Sequence, residues 1–263
     1  MRIFVMGAGR MGAWLVEELC LDHEVAVYDR DPRKLKYFFR VERYTDVGEV
    51  RAFEPRILIN AVSLPETLEA FDAALPHLPE DCILSDIASV KTGLRDYYAA
   101  SRRRFVSTHP MFGPTFANIR DLSSQHTVII KESDEEGKAF FKDFYSGLRL
   151  NLHEYTFEEH DRTIAYSLSV PFASSLVFAA CMKKQDAPGT TFNEHLKIAK
   201  ALLSEDDRLL AEILFNPYTV EQIERINSRL RYLTHIIKGR DMEEMEKFLE
   251  RLRRNIRQEG ERA

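Results

Sequence analysis

The chain has 263 residues, 44% of them apolar and 30% charged, with a formal net charge of −5. This is the balance of a globular protein with one or two buried cores, and it supplies no overall basic field for nucleic acid. No uninterrupted apolar run approaches the ~18 residues that cross a bilayer, and the immediate entry into a strand pattern leaves no room for a signal peptide. Cys20, Cys82 and Cys181 have neither metal-ligand nor disulfide spacing, so they read as small buried residues in a reducing cytoplasm, with no metal and no membrane.

Short apolar runs at Ile3–Met6, Glu24–Tyr28, Ile57–Ala61, Ile83–Ser85 and Phe105–Ser107 predict strands. Helical patterns such as Met11–Leu21 and Glu66–Ala74 fall between them. The alternation predicts a parallel sheet with helices on both faces. A strand over Thr127–Lys131, a helix near Glu135–Tyr145 and a strand within Leu148–Tyr155 complete an α/β domain over 1–155.

The remainder, 156–263, reads as an all-α domain. Phe157–Lys184 is apolar-rich and should kink at Pro171. A loop around Asp186–Thr190 leads to helices over Phe192–Leu203 and Asp206–Leu214. Thr219 with Gln222 forms a capping box before a stripe of Ile223, Ile226, Leu230, Leu233 and Ile237. Asp241 with Glu244 repeats the device before Met242, Met245, Leu249, Leu252 and Ile256. These two amphipathic helices could pack on their own domain or on a second subunit. The charged stretch Arg253–Ala263 reads as a solvated, fraying end.

Gly7-Ala8-Gly9-Arg10-Met11-Gly12 is G-x-G-x-x-G directly after a strand and at the start of a helix. Gly7 permits a tight turn, Gly9 lets a pyrophosphate approach the backbone, and Gly12 lets helix and strand pack closely. The helix N-terminus offers unpaired N–H groups to phosphates. Asp29, at the end of the second strand, can accept hydrogen bonds from the ribose hydroxyls of NAD and repels the 2′-phosphate of NADP. Arg30 and Arg33 follow closely and keep NADP open. Ser63, just past the third predicted strand, is either a cofactor contact or a plain loop serine. The first domain is therefore expected to be a Rossmann-type dinucleotide-binding domain.

Asp86-Ile87-Ala88-Ser89-Val90-Lys91 follows the fourth predicted strand, on the edge that faces ligand. Ser89 and Lys91 are candidates to meet nicotinamide or substrate; a helix cap at Ser89 or Thr92 is the competing reading. His109 ends the next strand within Ser107-Thr108-His109-Pro110-Met111-Phe112-Gly113-Pro114. Pro110 biases His109 toward an extended backbone, and Gly113 with Pro114 suggests a sharp turn. Position alone leaves His109 open between a structural and a proton-transferring role.

Taken in order, GAGRMG, DIASVK, STHPMFGP and EEHDRTIAY resemble the prephenate dehydrogenase family of tyrosine biosynthesis. The resemblance continues through FNEHLKIAKALLSEDDRLLAEILFNPYT and covers nearly the whole chain, with HPMFGP its most specific element. It implies NAD(P)-dependent oxidative decarboxylation of prephenate to 4-hydroxyphenylpyruvate, or the same chemistry on arogenate. It makes His109 the catalytic acceptor of the substrate hydroxyl proton, Ser89 its companion at that hydroxyl, and Lys91 a neighbour of the active site. It also implies a homodimer built by the helical domain, and it leaves room for fused chorismate mutase or prephenate dehydratase domains.

The chain departs from the family in two places. Leu168-Ser169-Val170-Pro171-Phe172 lacks the histidines that many members carry beside this proline. Asn193 stands where other members place a carboxylate-binding arginine, with His195 and Lys197 as nearby replacements. His160-Asp161 matches a family pair and reads either as a helix cap or as support for catalysis. The competing functions are a β-hydroxyacid dehydrogenase, with its lysine on the helical domain, and a nicotinamide-sensing regulator without turnover.

Overall fold

The computed structural model describes residues 1–113 and 121–260. Among them, eight strands form one sheet: β1 Arg2–Met6, β2 Glu24–Tyr28, β3 Glu42–Tyr44, β4 Ile57–Asn60, β5 Ile83–Asp86, β6 Phe105–Pro110, β7 His126–Ile130 and β8 Asn151–Tyr155. Their spatial order is β3-β2-β1-β4-β5-β6-β7-β8. Helices α1 Arg10–Leu19, α2 Pro32–Leu35, α3 Val50–Phe53, α4 Thr67–Ala74, α5 Leu94–Ser101 and α6 Glu135–Gly147 connect them.

The inner strands are apolar on both faces because both faces are covered. Ile3 and Val5 of β1 point toward Trp14 and Leu15 of α1 and Phe141 and Tyr145 of α6. Phe4 and Met6 point the other way, toward Phe71, Leu94 and Tyr98 of α4 and α5. Each such fully buried side chain contributes roughly 1.5–3 kcal/mol of transfer free energy. The chain leaves β1 for β2 on one side and returns to β4 on the other. That reversal opens a crevice at the carboxyl ends of β1, β2 and β4.

Strand β3 was not expected from the sequence. It is short, polar and at the sheet edge, where charge is tolerated. The parallel expectation holds from β3 to β6 and fails at β7. Strands β6 and β7 pair antiparallel, with His109 opposite Val128, while β7 and β8 are parallel again. An apolar run reads the same in either direction, so the reversal is invisible in the sequence. Phe105–Ser107 pair with β5, and Thr108–Pro110 continue past it to pair with β7 alone. His109 therefore stands inside a strand extension, braced by β7. Pro114, expected to complete the turn after Gly113, lies outside the described residues.

Helices α7 Phe157–Ser167, α8 Ser169–Ala180, α9 Thr190–Leu202 and α10 Asp207–Leu214 follow. The change to helix comes at Thr156, yet α7–α10 share one compact unit with the sheet, Met1–Tyr218. The reason is Phe157 and its turn of α7, which complete the core beneath β6 and β7. The segment expected to kink at Pro171 breaks at Leu168. Pro171 has no N–H for the Ser167 carbonyl and its ring clashes there, so the break falls one turn upstream. Phe157–Ala180 is long and apolar enough to cross a membrane by length and composition alone, although it contains charged residues and the break at Leu168 divides it. Cys82 is buried as expected, but Cys181 is exposed.

The second unit begins at Thr219 and consists of α11 Thr219–Gly239 and α12 Met242–Gly260. Asp241 caps α12, accepting from the Glu244 N–H at 2.9 Å. The Glu244 carboxylate bonds the Tyr232 hydroxyl instead of closing the box. Tyr232 and Phe248 meet edge to face at 5.5 Å and hold the two helices together.

Candidate active site

The crevice at the carboxyl ends of β1, β2 and β4 has a volume of about 360 Å³. Its floor is the glycine loop. Gly7 has φ +96°, and a Cβ there would meet the Ala61 backbone at 2.9 Å. A Cβ on Gly12 would lie 1.9 Å from the Gly7 carbonyl oxygen, so these two glycines are demanded by packing. Gly9 is different: nothing lies within 4 Å of its Cβ position. It caps α1 without a side-chain hydrogen bond and faces open crevice, as backbone that receives a phosphate should. The Ala8 N–H is turned inward, donating to Asp29 Oδ2 at 2.9 Å. Arg10 opens α1 and is exposed; Met11 turns away from the crevice into the cavity described below.

Asp29 is buried at the crevice wall and also accepts from the Asp31 N–H at 2.9 Å and from Lys34 Nζ at 3.2 Å. A carboxylate has about four acceptor positions, so it retains capacity for ribose hydroxyls. Arg30 is paired with Glu66 at 2.5 Å, and the Ser63 hydroxyl donates to the same Glu66 at 2.6 Å. Those two contacts, Ser63 first, hold the Glu66 carboxyl below its usual range. Glu66 and Glu69 both line the crevice. The loop and its carboxylates fit a dinucleotide.

A second cavity, about 520 Å³, opens beside the first turn of α1. Gly9 lines the crevice and Met11 lines the cavity, so the two spaces flank the first turn of α1. Ser89 and His109 are on its sheet side. Neither Ser89 nor Thr92 caps a helix: α5 begins after Gly93, which has φ +82°, and the Thr92 hydroxyl donates to Asp161 at 3.1 Å.

Beneath the cavity runs a chain of polar groups. His109 Nδ1 is 2.9 Å from His160 Nε2, and His160 Nδ1 is 2.9 Å from Asp161 Oδ1. Asp161 is held in turn by the Lys91 N–H at 2.9 Å and by Thr92. Asn216 anchors the Asp161 carbonyl at 2.9 Å. The polarity of this chain follows from the carboxylate, which can only accept. His160 Nδ1 must donate to it, so His160 Nε2 accepts. His109 Nδ1 then donates, and the lone pair of His109 is on Nε2. Burial is the main reason that His109 lies well below the ordinary histidine pKa, with His160 and Lys91 adding to it. Burial also lowers His160, opposed by Asp161. Both rings are neutral near pH 7, and His109 is a fixed acceptor at the cavity wall.

His160-Asp161 is not the cap of α7. Thr156 caps α7 with Glu159 in a full capping box, and the pair is hydrogen-bonded in line with His109 instead. The signal in the sequence was the match of the two residues to a family pair, which left cap and catalytic support both open. Nothing in the chain order brings His160 to His109, 51 residues away.

Among the residues lining this cavity, the expected substrate contacts Lys91, Asn193, His195 and Lys197 do not appear. Lys91 does not line the cavity; it is fully buried, its ammonium bound by Asp86 and by the Thr108 carbonyl at 2.7 Å. Burial lowers its pKa while Asp86 opposes the shift. It locks the ends of β5 and β6 together. Lys197 is exposed and paired with Glu194 at 2.7 Å, and His195 bonds the Thr191 carbonyl of its own helix at 3.0 Å. Asn193 belongs to a separate depression with Lys183 and Phe192. Helix α9 presents Ile198, Ala201 and Leu202 to the cavity, the i, i+3, i+4 face, and Glu205 follows from the next turn. These lining residues were not singled out from the sequence.

Comparisons with known proteins agree with this geometry. The sequence profile of the family described as "Prephenate dehydrogenase, nucleotide-binding domain" matches residues 13–150, just over half of the chain. The T-protein of Enterobacter agglomerans is 27% identical over 59% of the chain, and a probable arogenate/prephenate dehydrogenase of Methanocaldococcus jannaschii is 22% identical over 98%. The chain spans 43% and 61% of the lengths of those two relatives. In fold it is similar to a prephenate dehydrogenase from A. aeolicus solved with hydroxyphenyl propionate and NAD+, with TM-score 0.85, 18% identity and 98% of both chains covered. It is also similar to Synechocystis arogenate dehydrogenase, with TM-score 0.76, 19% identity, and 98% of this chain and 99% of that one covered. With the nucleotide crevice, the buried histidine chain and the family profile in agreement, the protein belongs to the prephenate dehydrogenase family.

Proposed function

We propose that the protein catalyses NAD-dependent oxidative decarboxylation of a prephenate-type cyclohexadienol ring, in the tyrosine biosynthesis of the cytoplasm. The observation that carries this reading is the polarised acceptor His109, at a cavity beside the first turn of α1, the helix whose N-terminus lines the dinucleotide crevice. NAD, when bound, supplies the acceptor for the hydride that leaves the carbinol carbon of the ring. His109 Nε2 takes the hydroxyl proton as that carbon becomes carbonyl-like. The C–C bond to the ring carboxylate then breaks, carbon dioxide leaves, and its bonding pair completes the aromatic ring. Ser89 stands on the same wall to hydrogen-bond the hydroxyl. His160 and Asp161 are positioning residues: they hold the His109 tautomer and ring plane without touching substrate. Aromatisation favours the forward reaction, so the work of the residues is orientation and proton acceptance.

NAD is preferred over NADP in this reading, because Asp29, Glu66 and Glu69 would repel a 2′-phosphate while Arg30 and Lys34 are already paired with two of them. The active form is a homodimer. Helix α8 is apolar along most of its length, yet only Ser169 of it is buried in the single chain, and Val177 is 54% exposed. Sedimentation showing a stable, active monomer would contradict the dimer.

The test of the chemistry is NADH formation from prephenate and from arogenate, with the wild type and with His109→Asn. The variant should bind NAD and lose at least ~100-fold in turnover. Absence of NADH from both substrates with the wild type would refute the function.

A further inference from the structure

We propose that Glu66 sets the choice between NAD and NADP by occupying Arg30, a guanidinium that would otherwise receive a 2′-phosphate. The inference rests on the cofactor preference proposed above and adds to it the residue whose removal reverses the choice.

Arg30, Arg33 and Lys34 follow β2, and each is held by a carboxylate. Asp31 grips Arg33 as a fork, accepting from Nε at 2.9 Å and from Nη2 at 2.8 Å. Lys34 pairs with Asp29 at 3.2 Å. Both of those carboxylates belong to the same short loop as the cations. Arg30 differs, because its partner Glu66, at 2.5 Å, comes from the connection after β4. In the sheet, β2 and β4 flank β1 on opposite sides. The Arg30–Glu66 pair therefore reaches across the carboxyl end of β1, and both residues line the crevice.

The loop after β4 fixes Glu66 in this place. Ser63 donates to Glu66 Oε2 at 2.6 Å, leaving Oε1 for Arg30. The Thr67 hydroxyl donates to the Ser63 carbonyl at 3.2 Å, and the buried Asn60 amide donates to the Thr67 carbonyl at 2.8 Å. Ser63 is thus a positioning residue for Glu66. Loss of the Glu66 charge leaves Asp29 as ribose acceptor and leaves Arg33 and Lys34 on their own carboxylates. It frees one planar guanidinium, the group whose donor fork matches phosphate oxygens. One substitution then removes a repulsion and releases an attraction. The pyrophosphate is common to both nucleotides, so the ratio of their affinities isolates the 2′-phosphate.

The experiment measures the dissociation constants of NAD and NADP by calorimetry, with melting temperature as a control on folding. The proteins are the wild type, Glu66→Gln, Arg30→Ala and the double variant. The Arg30 side chain is 77% exposed, so the gain belongs at the low end of the range for a charged hydrogen bond. Glu66→Gln should shift the affinity ratio toward NADP by about 10- to 30-fold. The double variant should lose that shift, because the effect runs through Arg30. An unshifted ratio in Glu66→Gln, or a shift that survives in the double variant, overturns the assignment while leaving the NAD preference intact. A wild type that binds NADP more tightly overturns the preference and the assignment together. Binding is read without turnover, so failure of the proposed reaction shows separately, as absence of NADH.

Discussion

Replacement of His160 tests the polar chain under His109. In His160→Leu the His109 Nδ1–H loses its acceptor at 2.9 Å in a fully buried environment. An unsatisfied buried donor costs about 1–3 kcal/mol. The ring can avoid that cost by moving its proton to Nε2, the nitrogen that must accept from the substrate. The working tautomer is then disfavoured by the same energy, and kcat/KM should fall by roughly 5- to 150-fold. His160→Gln separates this from a general loss of packing. Its amide N–H can donate to Asp161 and its carbonyl can accept from His109, so the polarity of the chain is preserved. The Gln variant should recover most of the loss. The assay is NADH formation under kcat/KM conditions, with NAD binding and melting temperature measured on both variants. Equal activity of the Leu and Gln variants at equal stability would refute the tautomer argument.

The remaining predictions concern pH and the cofactor loop. Burial holds His109 and His160 below the usual histidine value of 6.5, so the native protein takes up fewer protons than the unfolded chain below that pH. Stability should be full above about pH 6.5 and decline as pH falls toward the folded values, by up to about 1.4 kcal/mol per pH unit for each histidine. A melting temperature that is flat between roughly pH 7 and 5 would contradict this sign. The acid limb of kcat/KM should also lie well below 6.5, because His109 remains an acceptor there. Gly9→Ala should fold with an unchanged melting temperature and bind NAD weakly, whereas Gly12→Ala should lose about 1–3 kcal/mol or more through overpacking against the Gly7 carbonyl; similar melting temperatures for the two would remove the distinction. Fluorescence titration through Trp14, the single tryptophan, should give tighter binding of NAD than of NADP. Asp29→Asn should narrow that gap, and tighter NADP binding by the wild type would sink the acidic-wall argument.

Much of the first domain was legible because its determinants are local. G-x-G-x-x-G between an apolar run and an amphipathic helix specifies a turn, and packing leaves little alternative: Gly7 needs a positive φ and Gly12 has no room for a Cβ. The strand-end positions of Asp29, Ser89 and His109 follow from period and order along the chain. The polar edge strand β3 and the antiparallel sense of β7 were not legible, since neither changes the apolar pattern. Lys91 looked like a substrate cation because position on a sheet edge does not reveal burial; Asp86 and the Thr108 carbonyl claim it. His195 and Lys197 looked available because helical spacing does not say which face meets the cavity. The HPMFGP run by itself determined that a histidine would stand rigidly at the end of a strand. Only the tertiary structure decided that His160 and Asp161 would lie beneath it and that its lone pair would be on Nε2. Those are contacts between residues tens of positions apart, and they form because α7 packs on the sheet, a long-range consequence of burying Phe157 that no local pattern encodes.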